Sequence, residues 1–398
     1  MKKALAIIAA VILGVVVLIF GIAMLVYPPE YVFRTLVWQE SDAFDWQKFP
    51  AHTLKAAPTT YHFDSAPDPR VEELFAKLSG TDDWGRFLEE NRTQAFIVIK
   101  DGVILYEDYF NDTRRDSIVT TFSVAKSFTS ALVGIAIQEG YIKSVDEPIT
   151  NYLPELAERD LRFKEITIRH LLLMASGLAY ENFRPLLLNS DDILTTYYPD
   201  QRKLALENTQ IIDPPGQYFL YNKYHPQLLG MILERATGMP VSTYLQTRIW
   251  DAIGMEFDGS WSIDSKSSNF EKMETGINAR AIDFAKFGVL FLNRGRWLGN
   301  QVISKAWVEE STSPLLPENY ADYYKDRMTV MPGQGYYKYM WWGLARDDAS
   351  YDFTAGGDKG QFIYVSPQKN LVIVRNGIDY GIPSEKWLDL FYKFASQY

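Results

Sequence analysis

The apolar and polar residues of this chain form three kinds of pattern, and the first occupies the N-terminus. An uncharged apolar run from Ala4 to Tyr27 follows Lys2 and Lys3. As a helix, this run would extend about 35 Å, enough to cross the hydrocarbon core of a bilayer. We expect residues 1–27 to form a transmembrane anchor, with the lysines in the cytoplasm and the globular part outside it, on the periplasmic or extracellular face. A cleaved signal sequence, which would give a secreted protein, is the alternative.

The second pattern consists of short β-rich blocks near both ends of the globular part. The blocks at 95–100 and 103–110, AFIVIK and VILYEDYF, are joined by Asp101-Gly102, a dipeptide that favours a two-residue hairpin. A second pair, GQFIYVS and NLVIVRNG, lies at 360–366 and 370–377. We expect the two pairs to form one mostly antiparallel sheet built from both chain ends.

Apolar residues at helical spacing form the third pattern. They occur at 69–79, dominate about 141–330, and return at 384–397, where Ser384 is a suitable N-cap. The predicted fold is therefore an α/β (α+β) sandwich, with helices flanking the sheet and a large helical insertion. We assign 28–68 to a connector and 69–398 to one domain.

One helical segment, Val119 to Gly140, is apolar almost all the way round, which is typical of a helix in the middle of a domain. Near its start are Ser123 and Lys126, three residues apart and therefore on one face. Burial disfavours a charged lysine, so Lys126 is a plausible base for the Ser123 hydroxyl. The alternative is an ordinary serine near a helix start, followed by a lysine that reaches solvent.

The same Ser-x-x-Lys spacing occurs again at Ser366–Lys369, next to Pro367. This second pair lies in a predicted hairpin turn, where we expect both side chains to be solvated and to have no catalytic role. The spacing by itself is therefore weak evidence.

Composition excludes several classes of function. The formal net charge is -10 and no basic patch is visible, which argues against nucleic-acid binding. The chain has no cysteine, so it has neither disulfides nor thiolate metal sites. Its four histidines lack the spacing of metal ligands, and it has no Gly-x-Ser-x-Gly elbow, Walker loop or dinucleotide fingerprint. We expect neither a metal nor an organic cofactor.

Four blocks in order resemble the serine β-lactamase and penicillin-binding-protein superfamily, in its class C β-lactamase-like branch: FSVAKSFTSALVGIAIQEG, ITIRHLLLMASGL, PGQYFLYNKYHPQLLGMILERATG and GINARAIDFAKFGVLFLNRGRW. This branch contains β-lactamases, D-amino-acid carboxypeptidases, esterases and nylon-oligomer hydrolases. The resemblance implies an α/β sandwich with a helical subdomain and a serine hydrolase that works through an acyl-enzyme.

The resemblance also implies roles for single residues. Ser123 matches the acylated serine and Lys126 its partner, while Tyr221 matches the tyrosine of the Tyr-x-Asn motif, a phenol that relays protons. The asparagine position of this motif falls on Lys223, with Asn222 one place early. This departure puts the substrate-amide contact in doubt and adds a cation that can stay solvated. The other candidates for the tyrosine are Tyr218 and Tyr224.

The third family motif, Lys/His-x-Gly, falls in AGGDKGQ at 355–361, where Ala355 replaces the cation and Gly357 matches the glycine. The resemblance implies an oxyanion hole formed by the backbone N–H groups of Ser123 and Asp358. Loss of the cation removes a partner for the carboxylate of a β-lactam or D-peptide, and the nearby Lys359 is not assumed to replace it. The block AGGDKGQFIYV is more similar to the esterase and nylon-oligomer-hydrolase side of the branch.

We therefore predict a serine hydrolase that acts on a small-molecule ester or linear amide. A D,D-peptidase or β-lactamase is the enzymatic alternative. A catalytically silent relative that binds ligands through the same pocket is an alternative of another class. Aromatic residues at 336–342, including Trp341 and Trp342, are candidates for an acyl pocket, although packing is their more usual role.

Overall fold

The computed structural model describes residues 20–182, 189–314, 335–346 and 348–398, and also the single residues 5, 7, 11, 14 and 18. The strands are β1 (Ala51–Leu54), β2 (Asp64–Ser65), β3 (Thr93–Lys100), β4 (Val103–Tyr109), β5 (Val119–Thr120), β6 (Gly259–Ser262), β7 (Ile277–Ala279), β8 (Arg296–Trp297), β9 (Asn300–Gln301), β10 (Gly335–Lys338), β11 (Trp341–Ala345), β12 (Tyr351–Gly357), β13 (Gln361–Ser366) and β14 (Leu371–Gly377). The α-helices are α1 (Pro29–Phe33), α2 (Pro69–Ser79), α3 (Trp84–Glu90), α4 (Ala125–Gln138), α5 (Pro154–Arg159), α6 (Ile168–Leu172), α7 (Asp191–Tyr197), α8 (Gln201–Asn208), α9 (Tyr224–Thr237), α10 (Val241–Leu245), α11 (Ala281–Leu292), α12 (Lys305–Thr312) and α13 (Ser384–Gln397).

Within the described residues, eight strands form the central sheet, in the order β10-β11-β12-β13-β14-β3-β4-β2. Neighbouring strands are antiparallel except for β2 and β4. Ile373 of β14 lies opposite Val98 of β3, so strands from the two chain ends meet inside the sheet, as predicted. The Asp101-Gly102 hairpin is also confirmed, since both residues have the positive φ (52° and 80°) of a type I′ turn.

The sheet is covered by helices on both faces. Along β3, Ala95, Ile97 and Ile99 point into a large core shared with α4, α9 and α11, while Phe96 and Val98 point into a smaller core under α2, α3 and α13. This period-two alternation of fully buried residues is expected for a strand between two apolar layers. The α/β sandwich is therefore confirmed for the globular part.

Helix α4 runs through the larger core, with every residue from Ala125 to Ala136 buried. A Cβ on its Gly134 would lie 2.4 Å from the ring of Trp307, so a small residue is required for this close packing. The predicted buried helix is confirmed, but its predicted start at Val119 was wrong.

The actual start of α4 follows from hydrogen bonding just before it. Val119–Thr120 is strand β5, and the carbonyl oxygen of Ile277 then accepts bonds from both the N–H and the hydroxyl of Thr121, at 3.0 and 2.8 Å. Because this pairing holds the chain extended, the helix begins only at Ala125.

The region 141–330 is less helical than predicted. It contains β6 and β7, which lie between β1 and β5 in a second, four-stranded sheet. The block at 166–178 holds only the short helix α6, because Met174 and Gly177 adopt positive φ values of 57° and 76°. Residues 315–330 lie outside the described residues.

The predicted N-cap of the C-terminal helix was wrong. Ser384 is the first residue of α13 and not its N-cap; Pro383 precedes it, without a side-chain cap.

The segment 28–68 contains α1, β1 and β2, and its division from the domain stays a prediction. Among the residues described, no helix is long and apolar enough to span a bilayer. Most of 4–19 lies outside the described part, so the anchor stays a prediction.

Candidate active site

Ser123 lies in a 3-10 turn, Phe122–Val124, which connects β5 to α4. Phe122 has a left-handed φ of 47°, which is uncommon for a large side chain. The turn therefore places Ser123 at the N-terminus of α4, where the helix dipole favours negative charge.

Lys126, in the first turn of α4, is fully buried. Its Nζ lies 2.8 Å from Ser123 Oγ and 2.8 Å from the carbonyl oxygen of Glu274. Burial lowers the pKa of Lys126 to about 7, and the nearby charge of Lys223 acts in the same direction. The lowered pKa favours the neutral amine beside the serine hydroxyl, and a neutral amine can accept the hydroxyl proton.

A buried ion pair supports the Lys126 site. Lys272 Nζ lies 2.8 Å from Glu274 Oε1 and donates a second bond, of 2.7 Å, to the carbonyl oxygen of Thr196. These two bonds hold the loop that carries Glu274, and the carbonyl oxygen of Glu274 accepts the hydrogen bond from Lys126. Sequence reasoning missed the pair, because the charged stretch EKMETG is typical of an exposed loop.

Tyr221 completes the group. Its side chain is partly buried, its phenol lies within hydrogen-bonding reach of Ser123, and its ring centroid lies 5.0 Å from Lys126 Nζ. Burial raises the pKa of Tyr221 well above its usual value, so the phenol keeps its proton at neutral pH. The ring stacks on Trp342, at 5.7 Å between centroids. The alternative Tyr224 is occupied elsewhere, since its hydroxyl bonds Asp191.

The end of β12 comes into close contact with the serine turn. A Cβ on Gly357 would lie 2.3 Å from the carbonyl oxygen of Thr121 and 3.2 Å from the backbone nitrogen of Ser123. Only glycine fits there without movement of one backbone. Asp358 follows at the rim of the cleft, where its side chain hydrogen-bonds Tyr380.

The structure separates the two candidates for the asparagine position. Asn222 is fully buried, and its side-chain oxygen accepts a bond of 2.8 Å from the N–H of Tyr224, so it serves the backbone. Lys223 lines the cleft but is not free in solvent. Its Nζ lies 2.7 Å from Asp192 and 3.0 Å from the hydroxyl of Thr196.

These residues open into a cleft of about 440 Å³. The side chains that line it are mostly aromatic near the serine, and include Phe122, Phe219, Trp342, Phe362 and Tyr380. Ser41, Asp192 and Thr196 also line the cleft, and sequence reasoning missed all three because no family motif covers them. Trp341 is instead in the core. A larger hollow, of about 810 Å³, has no serine in its lining among the described residues.

Two further expectations concern the third motif and the second serine. Ala355 is fully buried opposite Ile363 in the core, and Lys359 does not line the cleft. The expectation that Ser366 is solvated was wrong. As the last residue of β13 it pairs with Leu371 and is fully buried, and its hydroxyl has no partner within the described residues.

The histidines take structural contacts. His225 is buried beside Ser176, at 2.5 Å, and burial lowers its pKa to about 3. His52 pairs with Glu271 at 2.9 Å. In the part of the chain that the structure describes, no group of three His, Asp or Glu side chains is arranged to hold a metal ion.

Comparison with known proteins gives several matches. A sequence model of the Beta-lactamase family matches residues 75–376. The 6-aminohexanoate-dimer hydrolase of Paenarthrobacter ureafaciens is 25% identical over 355 residues, which is 85% of this chain and 86% of that protein. Esterase EstB of Burkholderia gladioli is 28% identical over 217 residues, covering 50% of this chain and 53% of its own.

Solved structures agree on the fold. A Bacillus anthracis protein described as a 6-aminohexanoate-dimer hydrolase superposes with a TM-score of 0.73 at 23% identity, and covers 88% of this chain and 92% of its own. The similarity therefore spans the central sheet and the helical region together.

Proposed function

The chain belongs to the Beta-lactamase family and is a serine hydrolase, and from this premise we propose that it cleaves esters or linear amides through an acyl-enzyme on Ser123. The observation that carries the proposal is the 2.8 Å contact between Ser123 Oγ and the buried Lys126 Nζ. The Tyr221 phenol, within hydrogen-bonding reach of the same serine, supports it.

In the proposed acylation, neutral Lys126 takes the Ser123 proton as Oγ attacks the substrate carbonyl carbon. The negative charge that develops on the carbonyl oxygen is held by the N–H groups of Ser123 and Asp358, which Gly357 allows to come close. The proton on Lys126 then passes through Tyr221 to the leaving alcohol or amine, which departs as the acyl-enzyme forms and leaves Lys126 neutral and the phenol protonated. Water attacks the acyl carbon, and its proton passes through Lys126 and Tyr221 to Ser123 Oγ as the bond between the acyl carbon and Oγ breaks. This step releases a carboxylic acid and restores the Ser123 hydroxyl.

The preference for esters or linear amides is supported by two departures from the lactamase pattern. Ala355 supplies no cation on the strand beside the serine, and Lys223 is bound to Asp192 and Thr196 inside the cleft. Because Lys223 lines the cleft beside Ser123, we assign it a substrate contact with the acyl group. The aromatic lining fits an apolar acyl or alkyl chain. No cofactor is needed for these steps.

The location also remains a proposal. Lys2, Lys3 and the uncharged run to Tyr27 support an anchor with the hydrolase domain outside the cytoplasm. Cleavage of this run would give the same domain as a secreted protein.

The test is labelling of the full chain in detergent with a fluorophosphonate probe, together with turnover of p-nitrophenyl esters. We expect wild type and Ser366→Ala to label and turn over, and Ser123→Ala to do neither. Absence of labelling in the wild type would overturn every acyl-enzyme version and favour a silent binding protein. A stable penicillin adduct or rapid lactam turnover would instead favour the D,D-peptidase or β-lactamase alternative.

A further inference from the structure

The segment that precedes the family-matched region is built into the domain. We call residues 27–49 the N-terminal stem. The rings of Tyr27 and Tyr31 lie 5.2 Å apart, and Tyr31 lies 5.8 Å from Tyr198, just after α7. The buried guanidinium of Arg34 donates to the carbonyl oxygen of Tyr197 at 3.1 Å. The stem is therefore packed tightly on α7, with no loose linker between the apolar run and the domain.

The stem also forms part of the wall of the catalytic cleft. Helix α7 contributes Asp192 and Thr196 to the cleft, and Ser41 of the stem lines the same cleft. Ser41 hydrogen-bonds the side chain of Tyr197, whose hydroxyl also donates to the carbonyl oxygen of Gln39 at 2.7 Å. The family sequence model begins only at residue 75, so the part of the wall that Ser41 contributes lies outside the region that the model matches.

Four large apolar residues of the stem are exposed, and three of them are spaced to share one face of its helical turns. Phe33, Leu36, Val37 and Phe44 are exposed by 53%, 47%, 59% and 45%. Exposed apolar residues that cluster on one segment mark an interaction surface. We call these four residues the stem face.

Continuity along the chain identifies what covers the stem face. The exposed apolar residues Ile22, Leu25 and Val26 come just before it, at the end of the uncharged run from Ala4. A run of this length and composition suits the hydrocarbon core of a bilayer, and aromatic residues that follow it suit the interface. The chemistry that matches the stem face is therefore a lipid surface.

We propose that the stem face lies on a lipid bilayer and that the cleft takes its substrates from that bilayer, as amphiphilic esters whose acyl or alkyl chain partitions into lipid. This inference rests on the proposed acyl-enzyme function. Ser41 lies only three residues from Phe44, so the lipid surface and the cleft wall are adjacent. The ester is cleaved by water to a carboxylate and an alcohol, and both products can return to the membrane.

The first test compares two esters on the full chain in phosphatidylcholine vesicles: water-soluble p-nitrophenyl acetate and vesicle-embedded p-nitrophenyl palmitate. We expect Leu36→Ser/Val37→Ser to lower palmitate turnover at least about fivefold while acetate turnover stays within twofold. The matched control is Leu161→Ser, an exposed leucine far along the chain, 69% exposed, which should change neither. An equal loss of palmitate and acetate turnover, or no loss of either, would overturn the proposal.

The second test does not depend on activity. Because the chain has no cysteine, Val37→Cys and Leu161→Cys each allow a single fluorescent label. We expect doxyl lipids to quench the label at position 37 and not at position 161. Failure of quenching would overturn the contact between the stem face and the bilayer. Quenching without any ester turnover or fluorophosphonate labelling would overturn the proposed function, and with it the uptake of substrate from lipid, but would support the contact.

Discussion

Two segments of this chain have the same spacing of serine and lysine, and the structure gives them opposite surroundings. Ser123 and Lys126 lie across a 3-10 turn and the first turn of α4, with the lysine fully buried and 2.8 Å from the serine. Ser366 is buried at the end of β13, while Lys369 lies half-buried in the turn that follows. Both stretches contain a 3-10 turn, so the backbone alone does not separate the two pairs, whereas the burial of the lysine does.

The comparison teaches that burial of the lysine matters as much as the spacing. Burial removes water from Lys126 and lowers its pKa to about 7, and the nearby charge of Lys223 acts in the same direction. The turn at Lys369 leaves its side chain partly in water. A serine and lysine three residues apart therefore become a candidate reactive pair only where the fold buries the amine next to the hydroxyl.

Replacing each lysine in turn tests this difference and should give the largest effect. Lys126→Met should lower kcat for p-nitrophenyl esters by about 10²–10⁴-fold, the range for loss of a general base. Lys369→Met should change kcat less than about twofold, because it lies outside the cleft. Steady-state kinetics of both variants check this. Similar losses in the two, or none in Lys126→Met, would contradict the assignment.

Among the described glycines, Gly357 packs against the turn that carries Ser123, and none packs against Ser366 or Lys369. This difference provides the second prediction. Gly357→Ala should lower kcat/KM by about 10²-fold, since its Cβ would lie 2.3 Å from Thr121 O and displace a backbone donor. Gly356→Ala is the matched control, because its nearest contact is a side-chain atom of Trp342 at 3.3 Å. A Gly357→Ala enzyme as active as this control would contradict the role.

The lowered pKa of Lys126 gives a pH dependence. Activity should rise with pH through about 7, as the amine loses its proton. Lys223→Met removes a nearby positive charge, so the pKa of Lys126 should rise and the acid limb of kcat/KM should move to higher pH. Lys359→Met, which changes a cation outside the cleft, should leave the limb in place. A limb that moves to lower pH in Lys223→Met would contradict this electrostatic account.

The smallest effect is expected at the second serine. The buried Ser366 hydroxyl has no partner among the described residues, so Ser366→Ala should raise the free energy of unfolding by about 1 kcal/mol. Urea denaturation of the two proteins measures this difference. A loss of stability would show that this hydroxyl has a hydrogen-bond partner in solution.

Patterns that repeat over many residues were predictable from the sequence. The sheet from both chain ends, the Asp101-Gly102 hairpin and the buried helix after Ser123 follow from periodicity and turn chemistry. Strand β5 and its partners were not, since runs of two to four residues are too short to show a period. A sequence pattern also does not predict where a single side chain points. Asn222 bonds a backbone N–H, whereas its neighbour Lys223 lines the cleft.

The contact between Gly357 and the serine turn has a consequence for how the enzyme is made. Ser123 and Gly357 are separated by more than two hundred residues, and β3 finds its partner β14 only when residues 371–377 exist. Such non-local pairing completes late in folding. A nascent chain therefore contains Ser123 long before it contains a working site, and an incomplete chain should remain unreactive until its last strands have emerged.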